Sequence, residues 1–445
     1  MFNLNGIELG RFLLGLVSLL MAANLLGYIA ERLAIPRVLG EVGGGLVLGP
    51  SFMGYFFPET FQWLYLGFPS EAKLFGLLYQ LGMILLMFNT GLRFNTRFNK
   101  SDGKIGIAII ISSTIIPFIA GWVATYLFNP AQFLGPAQNL IALKIVIAIS
   151  IGVTSIPVIS KIFSDLGIVH SRFAKLIIGI AGIHDIFLWI ALAVASSIVN
   201  SQQDINAVVL LKSIGITLGF LIFCIGILPA ILKKITSNPA NILFRSSFLG
   251  YFLLILFGLS AIAKYLDIDV MYGALLAGIA IRLSLPKHLN QRVEKSVREI
   301  SFSFFIPVYF AIVGLELNLT KGFSIEFFVL FLLFATIVQG TVVYMTARLI
   351  KCDKLTSINF AAAMNARGGP GIVLATVAYS LQIINQNFFA ILVLLALITS
   401  WMAGSWLRYV LKSGKLLMPG DENLVITKYQ EEVDFYPISN IEKIK

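Results

Sequence analysis

The chain is short of charged residues and of cysteine, and each shortage limits what it can be. Charged residues make up 12% of its 445 residues, about half the share that is typical of soluble domains. Two cysteines, Cys224 and Cys352, are too few for a disulfide framework or a cysteine-based metal site. Apolar residues instead make up 58% of the chain. This composition excludes an ordinary soluble protein and predicts one polytopic unit in a lipid bilayer.

Thirteen stretches are apolar over the roughly 20 residues that a helix needs to cross a bilayer. They lie near 9–29, 38–56, 74–92, 104–127, 138–162, 173–199, 208–233, 247–265, 270–283, 300–316, 324–350, 356–380 and 385–410. We therefore predict an all-α polytopic membrane protein with about 13 transmembrane helices. The first stretch has no small-residue cleavage site, so we expect a retained helix and not a signal peptide.

Basic residues alternate from one loop to the next. Loops after odd-numbered segments are rich in lysine and arginine, whereas loops after even-numbered segments are nearly bare. This positive-inside pattern predicts a cytoplasmic C-terminus and, with an odd number of helices, an external N-terminus. It also explains the formal net charge of +11, so no nucleic-acid partner is needed. We expect 411–445 to form a short, solvated cytoplasmic tail.

Two titratable residues, His184 and Asp185, lie in the middle of the sixth segment. A carboxylate at that depth costs about 2.5–3.5 kcal/mol on insertion scales, so a functional role is the first hypothesis. A structural polar contact between helices is the alternative. A partly dry site favours the neutral acid, whereas a bound cation favours the carboxylate. A proton and a monovalent cation are therefore expected to compete for Asp185.

His184 has three possible roles beside this carboxylate. Its ordinary pKa of about 6.5 lies in the working range of most proteins. It can stay neutral and orient the site, sense pH, or carry a second proton. We favour the first role, because a positively charged histidine would repel a cation bound next to it.

Two segments contain helix-breaking residues deep in an apolar run. Segment five holds Thr154, Ser155 and Pro157, and segment twelve holds Asn365 and Arg367 followed by Gly-Gly-Pro-Gly. Unwound backbone at membrane depth is tolerated only inside protein or along a wet cavity. Paired interruptions of this kind predict a binding site near the bilayer midplane, whereas a simple proline kink is the alternative. The two hydroxyl residues of segment five offer oxygen ligands to a hard cation.

Several motifs resemble those of the monovalent cation/proton antiporters, family 2, over nearly all of 9–410. The motifs are IPRVLGEVGGGLVLGPS at 35–51, QLGMILLMFNTGL at 80–92, TSIP at 154–157, YGALLAG at 272–278, FIPVYFAIVGL at 305–315 and NARG at 365–368. The resemblance implies two inverted five-helix repeats, at about 38–199 and 247–410, with two discontinuous crossing helices and a linker helix at 208–233. It also implies a homodimer, an elevator-like mobile core and no cofactor.

The sequence departs from the family pattern at three positions. Electrogenic members carry two adjacent carboxylates where this chain has His184-Asp185, and a lysine where Gln339 stands. Many members carry glutamate at the position of Gly369. Only Asp185 is left as a certain carboxylate, so the predicted function is electroneutral exchange of sodium (or potassium) for protons in a bacterial-type inner membrane. A gated cation efflux pathway and an organic anion transporter on the same fold are the alternatives.

Four other polar or charged positions have supporting roles to be tested. Asn365 is expected to line the same cavity as Asp185. Arg367 is expected to pair with backbone carbonyl groups or with Glu41 and not to touch the ion. Asn89 is either a site residue or helix glue, and Glu41 is either a gate residue or a charge at a helix N-terminus. Four glycines predict close helix packing and not a nucleotide loop: 40, 43, 44 and 45.

Overall fold

Nearly all of the chain is helical. The structure is a computed structural model, and it describes residues 5–33, 35–93, 102–154, 159–160, 162–163, 166–169, 171–200, 207–320 and 322–421. Within these ranges there is no strand, only an isolated antiparallel bridge between Leu134 and Ile384. The prediction of an all-α chain is confirmed for the described residues.

The first half of the chain forms eight helices with defined bounds. They are α1 (Gly6–Arg32), α2 (Arg37–Leu48), α3 (Met53–Phe56), α4 (Pro58–Tyr65), α5 (Glu71–Leu92), α6 (Gly103–Ala124), α7 (Leu140–Gly152) and α8 (Arg172–Asn200).

The second half forms eleven more. They are α9 (Ala207–Ile222), α10 (Leu228–Thr236), α11 (Ile242–Ser246), α12 (Phe248–Tyr265), α13 (Val270–Ser284), α14 (Lys287–Ile300), α15 (Ile306–Glu316), α16 (Ile325–Leu349), α17 (Lys354–Met364), α18 (Gly368–Ser380) and α19 (Gln386–Lys412).

Two of these helices continue into the next through a π-helical turn. Phe223–Ile227 joins α9 to α10, and Ser301–Phe305 joins α14 to α15. Each turn is followed by a proline, Pro229 or Pro307. Proline has no backbone N–H, so the regular hydrogen-bond ladder is interrupted there and the helix widens locally.

The helices fall into two groups, each of which packs mainly within itself. The first helix group contains α1, α2, α5, α10, α12, α13, α14 and α15, and the second contains α6, α7, α8, α16, α17, α18 and α19. The helix α9 packs against α8 of the second group, and the π-helical turn after it packs against α13 of the first. Other contacts between the groups are sparse among the described residues.

Glycines let the backbones of α2 and α15 touch. A Cβ atom on Gly45 of α2 would lie 1.7 Å from the carbonyl oxygen of Ala311 in α15. A Cβ atom on Gly314 of α15 would lie 2.0 Å from the carbonyl oxygen of Val42 in α2. No side chain fits at either position, so this crossing requires glycine from both helices.

The other side of α2 contacts α1 in the same way. A Cβ atom on Gly40 would lie 2.2 Å from the carbonyl oxygen of Leu26, and one on Gly44 would lie 2.7 Å from the backbone of Ala22. A Cβ atom on Gly43, in contrast, would have no atom within 4 Å. The prediction of close packing is therefore confirmed for three of the four glycines and wrong for Gly43.

Nine helices of the described part are long and apolar enough to span a membrane. They are Gly6–Arg32, Glu71–Leu92, Gly103–Ala124, Arg172–Val199, Ile214–Thr236, Phe248–Tyr265, Lys287–Glu316, Ile325–Leu349 and Gln386–Lys412. The other four predicted segments are shorter or interrupted here; α2, for example, has 12 residues and α7 has 13. A multi-pass membrane protein is supported, and the total of 13 helices stays a prediction.

The predicted start of the tenth segment, near residue 300, is wrong. The helix begins at Lys287 and continues to Glu316, a length of 30 residues. Its first half is polar but amphipathic, with Val293 and Val297 buried on one face. Average hydropathy misses such a helix, because the buried residues are few and the exposed ones are charged.

The beginning of the C-terminal tail is packed and not solvated, contrary to expectation. Leu417 and Met418 are buried. Asp421 accepts hydrogen bonds from the backbone N–H groups of Arg172 (2.6 Å) and Phe173 (3.2 Å). A carboxylate is favourable there because the first turn of α8 carries the positive end of the helix dipole. The rest of the tail lies outside the described residues.

We expect Gly45→Ala to lower the apparent melting temperature of the purified protein, because overpacking of this kind costs about 1–3 kcal/mol. Gly43→Ala is the matched control on the same helix. It should leave the melting temperature unchanged or raise it, since alanine is the better helix former. Equal melting temperatures for the two variants would contradict the described crossing of α2 and α15.

Candidate functional site

The predicted titratable pair lies near the middle of α8. His184 and Asp185 are each 2% exposed. The helix that carries them packs against α6, α7, α9, α17 and α18. The helix that carries the pair therefore lies against elements of both interrupted segments.

Asp185 is an acid buried in the middle of an apolar helix. Neither of its carboxylate oxygens has a hydrogen-bond partner among the described residues, and none of the ion pairs found there involves it. A charged carboxylate in that position loses its hydration and gains no compensating bond, which costs several kcal/mol. Protonation of the side chain, or a cation bound to the carboxylate, would remove this cost.

His184 is anchored on one side only. Its Nε2 atom lies 3.0 Å from Oγ of Ser113 in α6. Its Nδ1 atom is buried and has no hydrogen-bond partner in the described part of the chain. The ring is thus held by α6 and leaves one nitrogen free.

The two interrupted segments contact each other directly. α7 ends at Gly152, and the hydroxyl group of Thr154 just beyond it donates a hydrogen bond of 2.6 Å to the carbonyl oxygen of Met364 at the end of α17. Thr154 therefore bonds the second break and not Asp185. Its oxygen keeps lone pairs that can still accept a bond.

Arg367 joins the same two breaks with all of its N–H groups. It is 1% exposed. Nε donates to the carbonyl oxygen of Ser150 (3.0 Å), and Nη2 donates to those of Ile151 (2.8 Å) and Ala335 (2.9 Å). Nη1 donates to the backbone and side-chain oxygens of Asn365, at 3.3 and 3.2 Å.

Two of these five bonds identify Arg367 as a cap for α7. The last four carbonyl groups of an α-helix have no partner within the helix, and this guanidinium satisfies two of them. A positive charge is also favourable at the negative end of the helix dipole. The prediction that Arg367 pairs with backbone carbonyl groups is confirmed, whereas Glu41 accepts a hydrogen bond from Arg37 at 2.8 Å.

Asn365 serves the second break as a connector. Its Oδ1 accepts the bond from Arg367, and its Nδ2 donates to the carbonyl oxygens of Ala361 (3.0 Å) and Thr336 (3.4 Å). Both ends of the amide are therefore engaged within the protein. An ion could still reach Oδ1, because an amide oxygen has two lone pairs.

Gln339 is another buried polar group that has no hydrogen-bond partner in the described part of the chain. It is fully buried in α16, and neither Oε1 nor Nε2 has a hydrogen-bond partner among the described residues. The hydroxyl oxygen of Thr336, one turn earlier, is in the same situation. The position that matches the lysine of the family pattern thus holds a buried, neutral amide in this chain.

Two of the predicted residues belong to the first helix group instead. Asn89 in α5 donates to the carbonyl oxygen of Leu85 (2.7 Å) and to Oγ of Ser301 (3.0 Å). Glu41 in α2 is 4% exposed and is paired with Arg37. Asn89 acts here as a link between α5 and the π-helical turn. Ser155 and Pro157, also predicted for the site, lie outside the described residues.

Comparison with known proteins decides the family. A profile of the sodium/hydrogen exchanger transmembrane family matches residues 16–413. The chain belongs to the sodium/hydrogen exchanger family. The resemblance to the monovalent cation/proton antiporters is thereby confirmed.

Individual members of this family align with most of the chain. It is 26% identical over 400 residues to the Na(+)/H(+)-K(+) antiporter GerN of Bacillus cereus, with 90% of this chain and 96% of that protein covered. It is 27% identical over 397 residues to the Na(+)/H(+) antiporter NhaS4 of Synechocystis, with 87% and 94% covered.

Other comparisons add a longer relative and a solved structure. The chain is 26% identical over 425 residues to Cation/H(+) antiporter 17 of Arabidopsis thaliana; the match covers 92% of this chain but spans only about half (49%) of that protein. The sodium proton antiporter MjNhaP1 from Methanocaldococcus jannaschii matches with a TM-score of 0.57 and 15% identity, over 90% of this chain and 95% of that one. That match shows a shared fold.

Sequence reasoning missed three hydroxyl residues in this exchanger. Ser113 holds His184, Thr114 lies beside it with a buried oxygen that has no partner in the described part, and Ser400 accepts a bond of 2.9 Å from the backbone N–H of Gly368. The run Ser112-Ser113-Thr114 within an apolar segment was a visible signal. Its partner helix, however, cannot be deduced from spacing along one helix.

We expect Arg367→Lys to lower the melting temperature of the exchanger, because lysine has three N–H donors where five are used. At least one carbonyl group at the α7 end would lose its partner, at a cost of about 1–3 kcal/mol. The control is Arg292→Lys, since Arg292 is exposed and its guanidinium lies over the ring of Phe248, 4.3 Å from the ring centre. The assignment would be wrong if Arg367→Lys melted no earlier than this control.

Proposed function

We propose that this exchanger moves sodium (or potassium) in exchange for protons, with Asp185 carrying either one. The observation behind the proposal is the burial of this carboxylate without any partner among the described residues. An acid in this state gains from binding a proton or a cation, and it cannot hold both. The names of the bacterial relatives, which are Na(+)/H(+) antiporters, agree with these substrates.

The exchange is electroneutral in this proposal. Asp185 has no net charge when it is protonated and forms a neutral pair when it binds one monovalent cation. Arg367 contributes the same positive charge in both states, because all of its N–H groups are bonded to neutral oxygens. A second transported charge would couple each cycle to voltage by about 2.3 kcal/mol per 100 mV.

The second helix group moves relative to the first in an elevator-like alternation. It carries Asp185 and both interrupted segments, and it meets the first group through sparse contacts. Few contacts must therefore be broken when one group slides along the other. The first helix group, which crosses backbone to backbone at glycines, supplies the static frame and the surface of a homodimer.

The arrangement in the membrane completes the proposal. The two halves of the chain, at about 38–199 and 247–410, are inverted repeats whose discontinuous helices cross at the breaks joined by Arg367. The N-terminus faces outwards, the C-terminus is cytoplasmic, and the membrane is a bacterial-type inner membrane. The exchanger then serves pH and sodium homeostasis.

Two alternative functions predict different behaviour. A gated cation pathway would pass cations without a counter-flow of protons. An organic anion transporter would need a positive charge available to its substrate, but the N–H groups of Arg367 are all taken by protein oxygens. That observation disfavours anion transport.

The test is exchange in proteoliposomes with and without the carboxylate. In liposomes that contain the wild-type protein, an inward sodium gradient should drive protons out, so that the inside becomes alkaline as sodium is taken up. An imposed voltage should not change the rate. Asp185→Asn should reduce exchange to the level of empty liposomes. The amide is uncharged, so it neither takes up a proton nor neutralises a bound cation. Separate gradients of sodium, potassium and lithium would identify the preferred ion.

The matched control is Asp267→Asn. Asp267 is exposed and has a φ of 58°, a conformation that asparagine also tolerates, so exchange should be retained. Wild-type rates in Asp185→Asn would refute the assignment of the carrier. Sodium flux that is driven by voltage and unaccompanied by protons would instead favour the gated pathway.

A further inference from the structure

A small pocket lies beside His184, between α6, the end of α7 and α8. Its lining includes Thr114 of α6, Ile149 and Gly152 of α7, Val153 just beyond that helix, and His184 of α8. It leaves about 10 Å³ for the centre of a water molecule, which is about the room that one water needs. A hydrated cation does not fit into this volume.

The hydrogen bonds around Ser113 fix the tautomer of the histidine. The Ser113 hydroxyl oxygen lies at a short hydrogen-bond distance from the carbonyl oxygen of Ile109. Two oxygens that close must share a proton, and the only one available belongs to the serine hydroxyl. Ser113 therefore cannot donate to His184, so Nε2 of the histidine donates to Ser113. In the neutral ring Nδ1 then carries a lone pair and no proton.

Two buried polar atoms are left without partners at this pocket. They are Nδ1 of His184 and Oγ1 of Thr114, and both have no hydrogen-bond partner among the described residues. Both residues line the pocket. A water molecule can donate to the first atom and exchange a hydrogen bond with the second, so that neither remains unsatisfied.

The end of α7 forms one wall of this pocket. Of the last four residues of this helix, Ser150 and Ile151 give their carbonyl groups to Arg367. The other two, Ile149 and Gly152, line the pocket. The helix end is thus divided between Arg367 on one side and the pocket on the other.

We propose that this pocket binds one water molecule between His184 Nδ1 and Thr114 Oγ1, and that Ser113 and this water fix the orientation and the tautomer of the His184 ring. Ser113 and Thr114 are positioning residues in this proposal. Its consequence for transport rests on the proposed function: the ring next to Asp185 is held in one orientation by α6 and by the water while Asp185 exchanges its proton or cation. No charged side chain lines the pocket as described.

The test is NMR spectroscopy of the full chain in lipid nanodiscs with nitrogen-15 in its three histidines. The signals of His184 are those that disappear in His184→Asn. In the wild-type protein near neutral pH, Nε2 should be protonated and Nδ1 should not. A charged ring, or a ring protonated at Nδ1, would overturn the proposal without any further variant.

Three variants then separate the water from mere packing. Thr114→Val keeps the shape of the side chain but removes the hydroxyl group, and it should shift the Nδ1 resonance as its hydrogen bond is lost. Thr114→Ser restores the oxygen and should restore the wild-type resonance. Ser113→Ala should allow both tautomers. An unchanged Nδ1 resonance in Thr114→Val would show that the pocket holds no bridging water.

The same measurement distinguishes this proposal from the proposed function. Asp185→Asn should keep the wild-type tautomer of His184 whether or not it still exchanges ions. A wild-type tautomer in an Asp185→Asn protein that still exchanges would refute Asp185 as carrier and leave the water site standing. A charged His184 in a protein whose exchange depends on Asp185 would do the reverse.

Discussion

The candidate site depends on one buried guanidinium. Arg367 bonds the last turn of α7, the backbone of α16 and the break between α17 and α18 at once. Two interrupted helices would otherwise expose unpaired carbonyl groups in an apolar interior, at about 1–3 kcal/mol for each group. Because the partners of Arg367 are all neutral, its charge is used to hold the backbone and is not cancelled by a carboxylate. Arg367 therefore holds the two breaks inside the second helix group, and it forms no ion pair with Asp185.

Asp185 and Arg367 are both buried ionisable side chains, but only Arg367 has hydrogen-bond partners among the described residues. Arg367 keeps its charge because five oxygens replace the water that it has lost. Asp185 receives no such replacement from the described residues, and in the proposed function a transported proton or cation neutralises it. In this account the positive charge of Arg367 is permanent, whereas the negative charge of Asp185 is neutralised in turn by a proton and by a cation. An electrogenic site would require a second exchangeable group beside Asp185.

The sequence reveals features that are local and leaves out those that depend on helix rotation. A carboxylate within an apolar run and a proline-glycine break are visible along one segment, so Asp185, Arg367 and both interruptions could be found from the chain alone. The ion pair between Arg37 and Glu41 is equally local, since the two residues lie four positions apart within α2. The cap that Asp421 forms on α8 connects residues 249 positions apart. The pocket at Thr114 likewise requires the relative rotation of α6 and α8, which hydropathy does not encode.

The central claim is that a proton and a metal ion compete for one carboxylate. Calorimetric titration of the purified exchanger with sodium, repeated in buffers of different ionisation enthalpy, counts the protons released for each sodium bound. The account predicts release that rises to about one proton per sodium as the pH falls into the range where Asp185 is protonated. Sodium binding that releases no protons at any pH would contradict it.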